Sequence, residues 1–153
     1  NAEGEVLANA ASAWLLVDTQ AKRPKNPAII MGDLPALSHE TDIPLEYAKL
    51  KPFPEELSQM ERQVQLTELD LNHHVNNARY ADWLMDAYSP DFLEKHRLSK
   101  VIIHYLHETQ IDEVISVKVS HSATQLLTHN IQIIKKADSS NALLAELDWI
   151  EIK

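Results

Sequence analysis

Cysteine is absent from the 153 residues. Its absence excludes disulfides, thiolate metal ligands and a cysteine nucleophile, and it fits a reducing compartment. Glycine is scarce: Gly4 and Gly32 are the only two, which leaves no phosphate-cradling loop and no dinucleotide fingerprint. No window approaches the run of about eighteen apolar residues that a membrane span needs. No basic segment followed by an apolar run opens the chain, as it would in a signal peptide. The chain begins with Asn1 rather than Met, so it reads as processed, trimmed or a fragment, which leaves room for a lost targeting segment. Positive charge is also in short supply, with 14 Lys+Arg against 23 Asp+Glu and a net charge of −9. An acidic chain repels phosphate backbones and argues against a nucleic-acid partner. The charge is spread: residues 1–60 hold five basic and nine acidic residues, and residues 61–153 hold nine and fourteen. What is present is ordinary for a water-soluble domain with a real core: 44% hydrophobic and 24% charged residues.

Six of the seven prolines lie between residues 19 and 60, at Pro24, Pro27, Pro35, Pro44, Pro52 and Pro54. Proline fixes φ and removes a backbone donor, so this stretch predicts a linker with one short helix, near 44–50 or 54–60. Before it, residues 5–18 (EVLANAASAWLLVD) predict one strand. After it the pattern becomes regular. Arg62, Val64 and Leu66 alternate with Gln63, Gln65 and Thr67, a strand signal. Tyr80, Trp83, Leu84, Ala87 and Tyr88 then fall on one helical face, stopped by Ser89-Pro90. A short helix follows at 90–97. Four strands follow at about 100–109, 112–121, 126–136 and 142–152, with a turn at 137–141. Their alternation, Ile115, Val117 and Val119 for example, predicts burial of one face only, as in an antiparallel sheet. Strand, helix, four strands is an α+β order in which one helix must cover the sheet, the layout of the hot-dog fold.

The densest polar cluster is Asp70-Leu71-Asn72-His73-His74-Val75-Asn76-Asn77, between a strand and a helix start. Asn76 or Asn77 can cap the helix, whose first N–H groups and positive dipole end suit a developing oxyanion. A carboxylate, a carboxamide and an imidazole beside such a site can orient water, move a proton and hold a substrate. A capped helix start with solvated polar residues is the bland alternative. His73 and His74 are adjacent on an extended segment and point to opposite sides, so a shared metal ion is not expected.

Leu69 to Trp83, LDLNHHVNNARYADW, resembles the signature of the acyl-acyl-carrier-protein thioesterases of bacteria and plant plastids, through Asp70, Asn72, His74, Val75, Asn76, Asn77, Tyr80 and Trp83. Other hot-dog thioesterases, acting on coenzyme A esters, share a looser form of it. GEVLANAASAWLLVDTQAKRP is similar to the last strand of that family's first hot-dog domain. IIHYLHET resembles the strand that brings a second acid, with Tyr105 and Glu108 on the matching positions and Thr109 where plant members often carry Cys. The resemblance implies two tandem hot-dog domains, of which residues 1–20 are the last strand of an incomplete first, 21–59 the linker and 60–153 the second, catalytic domain.

The resemblance further implies Asp70, Asn72, His74 and Glu108 as catalytic residues for hydrolysis of a fatty acyl thioester, releasing the free acid and ending fatty acid synthesis. Glu108 or Asp70 acts as base on a water, directly or through Asn72. His74 binds or polarises the thioester, and N–H groups near Val75, Asn76 and Asn77 hold the oxyanion. An acyl-enzyme on Asp70 is the alternative. His73 is expected to face solvent, Tyr80, Trp83 and Leu84 to pack the core, and His104 to share a side with Glu108. No cofactor is expected, because the substrate carries its own 4′-phosphopantetheine arm. The partner is an acyl carrier protein, itself acidic, so docking calls for a basic patch. Lys22, Arg23 and Lys25, or Lys95, Arg97 and Lys100, are the candidates. Hot-dog units pair, so an intrachain pair or a homodimer is expected. The setting expected is the bacterial cytoplasm, with the plastid stroma as alternative. Competing functions are a coenzyme A thioesterase, a non-catalytic acyl-binding module and a hot-dog dehydratase.

Overall fold

The computed structural model describes residues 4–18, 20, 21, 23–32, 49–53, 58–121 and 125–152. They fall into two compact units, 1–47 and 48–153, so the boundary lies inside the expected linker.

In the first unit, β1 (Leu16–Asp18) pairs antiparallel with β2 (Arg23–Lys25). Asp18 stops β1 by accepting the N–H groups of Gln20 and Ala21, both at 2.8 Å, an Asx-type turn. Helix α1 (Pro27–Met31) starts on an Asn26 cap with Pro at its first turn. The expected strand over residues 5–18 is therefore short: residues 5–15 are not in regular structure. Apolar content alone forms no strand where no neighbour supplies ladder hydrogen bonds. The linker also holds β2 and α1, which its prolines did not prevent because Pro24 and Pro27 sit at an edge strand and a helix start. The helix expected near 44–50 or 54–60 falls largely outside the described residues, and residues 58–60 are strand.

The second unit is a five-stranded antiparallel sheet in the order β3-β5-β6-β7-β4, built from β3 (Ser58–Gln63), β4 (His96–Tyr105), β5 (Val114–His121), β6 (Thr128–Lys135) and β7 (Asn141–Glu151). Helix α2 (Asn77–Asp86) buries Tyr80, Trp83 and Leu84 with the inward row Ile115, Val117, Val119, Ile131, Ile133, Leu143, Ala145, Leu147 and Trp149 in one core. Each such large side chain contributes roughly 1.5–3 kcal/mol by burial. This is the hot-dog arrangement. α2 starts on Asn76, whose Oδ1 accepts the Ala78 N–H at 2.9 Å. It ends at Asp86, two residues before the expected Tyr88, because Pro90 holds Ser89 in the extended region (φ −72°, ψ 151°). Ser89 then caps α3 (Pro90–Lys95).

The alternation misplaced three features. Residues 66–68 form a 3-10 turn rather than strand, so Leu66 is exposed. Inward-pointing Arg62 is held by Glu68 and Asp86 and lies 4.9 Å over the Trp83 ring. Strand β4 starts directly after α3, at His96, and carries a bulge at Ser99 between the pairs Leu98↔Trp149 and Lys100↔Asp148. The extra residue puts Arg97 and Lys100 on the same, outward face. Finally, the sheet does not bury one face only: Ser116, Gln132 and Leu144 point outward and are buried. The Gln132 amide donates to the Phe53 carbonyl at 3.1 Å, tying the segment before β3 to this outer face.

Candidate active site

The site grows from a loop closed by one bridge. Leu69 and Val75 pair as an isolated antiparallel bridge. Between them the Asp70 N–H donates to the His74 carbonyl (2.8 Å) and the His73 N–H to the Asp70 carbonyl (3.1 Å). Closing so short a loop needs one residue in the left-handed region, and that residue is His73, with φ 61°. The Asp70 carboxylate fills the loop, accepting the N–H groups of Asn72 (2.8 Å) and His74 (3.3 Å). The Asn72 N–H above all, then those of His74 and the Asn72 side chain, hold the Asp70 carboxyl below its ordinary range against a smaller effect of desolvation.

The second arm is the segment that leaves β4. The strand ends at Tyr105, so Glu108 sits on a loop and not on a strand as expected. Leu106 and His107 both donate their N–H groups to the Ala142 carbonyl (2.9 and 3.2 Å), and His107 Nδ1 meets the Asn141 carbonyl at 2.8 Å. The strand's early end breaks the alternation that put His104 beside Glu108. His104 pairs with outward Leu144, and His107 takes the place at the site. Thr109, fully buried, accepts the Tyr80 hydroxyl at 2.9 Å, and its carbonyl accepts the Val75 N–H at 2.9 Å. The two arms are thus stitched together at Val75–Thr109.

Their tips meet. His74 Nε2 lies 3.3 Å from Glu108 Oε2. Both line a cavity of about 270 Å³ with Asp70, Asn72, Asn77 and Tyr105. That is below the usual volume for a drug-sized ligand and fits a reacting head group. Tyr105 donates its hydroxyl to the Asn77 carbonyl at 3.3 Å and meets Tyr80 edge-on at 5.6 Å. Burial pushes both phenols above their ordinary value and keeps them neutral donors. A larger, open cavity of about 500 Å³ lies by Met85, Tyr88 and Leu93. It gathers only the carboxylates Asp86 and Glu94 and no amide or imidazole, so chemistry selects the smaller one.

The helix start is less available than its dipole predicts. The Val75 N–H is taken by the Thr109 carbonyl, and the Asn76 N–H by the Glu68 carbonyl at 2.9 Å. Ala78 and Arg79 donate to Asn76. Of the three expected oxyanion donors, Asn77 alone keeps an N–H without a hydrogen-bond partner among the described residues. The sequence missed His107, Thr109's hydroxyl bond and Lys135, which reaches the Glu108 carbonyl at 3.0 Å; Lys135 is remote in sequence, and no local pattern marks it. Among the basic residues, Lys22 lies outside the described set. Arg23 and Lys25 lie on β2, with Lys25 paired to Asp18, and Lys95 pairs with Asp91. Arg97 and Lys100 lie on β4.

The Acyl-ACP thioesterase C-terminal domain family matches residues 53–151. Among curated proteins the chain is similar to a dodecanoyl-[acyl-carrier-protein] hydrolase, chloroplastic, of Cinnamomum camphora. Identity is 25% over 154 residues, covering 95% of this chain and 40% of that one. It is also similar to a palmitoyl-acyl carrier protein thioesterase, chloroplastic, of Gossypium hirsutum, at 28% over 130 residues, covering 80% of this chain and 32% of that one. The chain therefore spans less than half the length of either relative. Among solved structures it resembles the 12:0-ACP thioesterase from Umbellularia californica, with a TM-score of 0.71 at 20% identity, covering 89% of this chain and 53% of that one. That likeness fixes the hot-dog fold. With well over half of its length matched, the chain belongs to the acyl-ACP thioesterase family, through its C-terminal domain.

Proposed function

We propose that the chain is the catalytic C-terminal part of a hydrolase that cleaves the thioester of fatty acyl-acyl carrier protein. The observation that carries this is the His74–Glu108 pair, 3.3 Å apart, in one small cavity with Asp70 and Asn72. In the proposed reaction Glu108 takes a proton from a water whose oxygen attacks the thioester carbonyl. The Asn77 N–H at the helix start and His74 receive the oxyanion. Collapse breaks the C–S bond, and the pantetheine thiolate takes back a proton from Glu108. Asp70 is assigned to shaping the loop: two backbone N–H groups already occupy its Oδ1, and a lowered pKa makes a poor base and a weak nucleophile. No resident cofactor enters the scheme.

Three finer readings accompany it. Residues 1–20 are the end of a first hot-dog domain, joined through the linker 21–59 to the catalytic domain 60–153. Hot-dog units pair, within the complete protein or between copies, and β4 is a strand of the catalytic domain open to a partner. That strand is an edge of the sheet, and its exposed Val101 and Tyr105, with Leu106 beyond its end, run up to the cavity; open apolar edges call for cover. The carrier protein docks on Arg97 and Lys100, with Lys95, Arg23 and Lys25 as further candidates. The relatives above are chloroplastic; a compartment that makes fatty acids, plastid stroma or bacterial cytoplasm, is the setting proposed.

The test is thiol release by the complete reading frame from matched acyl-acyl-carrier-protein and acyl-coenzyme A substrates. Glu108→Gln and His74→Ala are each expected to lower kcat by about 10²-fold or more while the protein stays folded, and Asp70→Asn, whose Oδ1 can still accept both loop N–H groups, to lower it less. Preference for coenzyme A would move the carrier assignment. A folded protein that releases thiol from neither substrate would end the catalytic reading.

A further inference from the structure

Glu108 hangs on few supports. Its side chain is 66% exposed and, among the described residues, pairs with His74. Its carbonyl is gripped by Lys135 Nζ at 3.0 Å. Lys135 is the last residue of β6, with its side chain only 15% exposed. The same Nζ lies 2.8 Å from Glu113 Oε1, and Glu113 is 25% exposed. The other carboxylate oxygen of Glu113 accepts the Gln110 N–H at 2.9 Å, and its carbonyl accepts the Val64 N–H at 3.0 Å. The loop between β4 and β5 is thus buckled at both ends of its turn by one half-buried ion pair anchored on β6. Within that turn Asp112 holds φ 62°, a left-handed conformation that Asp adopts more readily than most side chains.

We infer that Lys135 and Glu113 are positioning residues that set where the Glu108 carboxylate stands against His74. The inference rests on the proposed role of Glu108. An ammonium placed between a carbonyl and a carboxylate satisfies both and fixes their separation. Removing it frees the carbonyl before Thr109 and leaves Glu113 without its cation. Displacement of an acid–base group by about 1 Å lowers turnover by up to roughly 10²-fold without changing what binds the substrate.

The experiment uses the complete protein with Lys135→Met, Lys135→Arg, Glu113→Gln and Glu108→Gln, assayed for kcat and KM and read by amide hydrogen exchange. Lys135→Met is expected to lower kcat about 10- to 100-fold with KM within about twofold, and Lys135→Arg to recover most of the loss. Combined with Glu108→Gln, it should add less than about a twofold further loss, since it acts only through Glu108. Exchange at Val75 and Gln110 should quicken in Lys135→Met and in Glu113→Gln. Additive losses in the double variant, or wild-type kcat in Lys135→Met, would overturn the inference. If Lys135→Met does not fold, Glu113→Gln is read in the same cycle. A wild-type protein that releases no thiol removes the catalytic reading instead. The exchange data then stand alone, and unchanged protection at both amides in Lys135→Met and Glu113→Gln overturns the anchoring itself.

Discussion

His73 adopts φ 61° with a Cβ and a large ring. For an L-residue the left-handed region costs roughly 1–2 kcal/mol, relieved only in glycine and partly in Asn or Asp. The loop keeps it because the Asp70–His74 closure leaves no other way round, and because its exposed side chain is asked to do nothing else. His73→Gly is therefore expected to stay within about 1 kcal/mol of wild type, while β-branched His73→Val loses about 1–2 kcal/mol, read by urea denaturation. Thiol release should survive in the glycine variant. Equal stability of the two variants would show that the loop is not held in this conformation. His74, one residue on, is a different matter: its backbone N–H serves the Asp70 carboxylate and its ring serves Glu108. The sequence could mark His74 by its resemblance. It could not mark which of Asp70 and Glu108 the backbone engages, and that difference is what supports the proposed division of labour between them.

At the scale of elements, the far end of α2 holds a relay that the spacing of apolar residues does not reveal. The Trp149 Nε1–H points to the Tyr88 hydroxyl oxygen at 3.3 Å. The Tyr88 hydroxyl meets His129 Nδ1 at 2.9 Å, and His129 Nε2 meets the Leu126 carbonyl at 3.2 Å. A carbonyl accepts only, so Nε2 carries a proton, and the neutral ring that a lowered pKa favours leaves Nδ1 to accept from Tyr88. His121 stacks on it at 4.3 Å, and Phe92, beside His96, lies 5.5 Å away. Burial first, then the His121 and His96 charges, push the His129 pKa below its ordinary 6.5, while Leu126 acts the other way; burial also pushes the Tyr88 hydroxyl up to about 12. A histidine depressed in the folded state contributes stability that is complete above about pH 6.5 and is lost as pH falls through the lowered value. The melting temperature is accordingly expected to drop as pH falls below about 6.5, and His129→Gln to flatten that slope. A slope unchanged by the substitution would assign it to other groups. Strand and helix order, and the inward rows of β5, β6 and β7, were legible because a period of two or of 3.6 is written in the residues themselves. Where the period is interrupted it misled: Leu66 falls in a 3-10 turn, β4 ends at Tyr105, and Gln132 looks solvated until Phe53 is laid across it.

For the molecule as a whole, net charge and docking pull in opposite directions. A chain of net charge −9 repels an acidic protein at long range, so the proposed docking of a carrier protein needs local positive groups. If Arg97 belongs to the docking surface, Arg97→Glu should raise KM for the carrier-bound substrate about tenfold or more at low salt, leave kcat near wild type and leave a small pantetheine thioester unaffected. The difference should shrink as salt is added. An equal effect on both substrates would place Arg97 outside the docking surface. The bulge at Ser99 has a separate consequence. Two residues there face one across the ladder, and only the Ser99 hydroxyl, on the Asp148 carbonyl at 2.9 Å, marks the surplus. Loss of that single codon would turn Leu98↔Trp149 and Lys100↔Asp148 into consecutive regular pairs, with every side chain still on its own face. A one-residue deletion can thus be absorbed within this strand as well as in the loops.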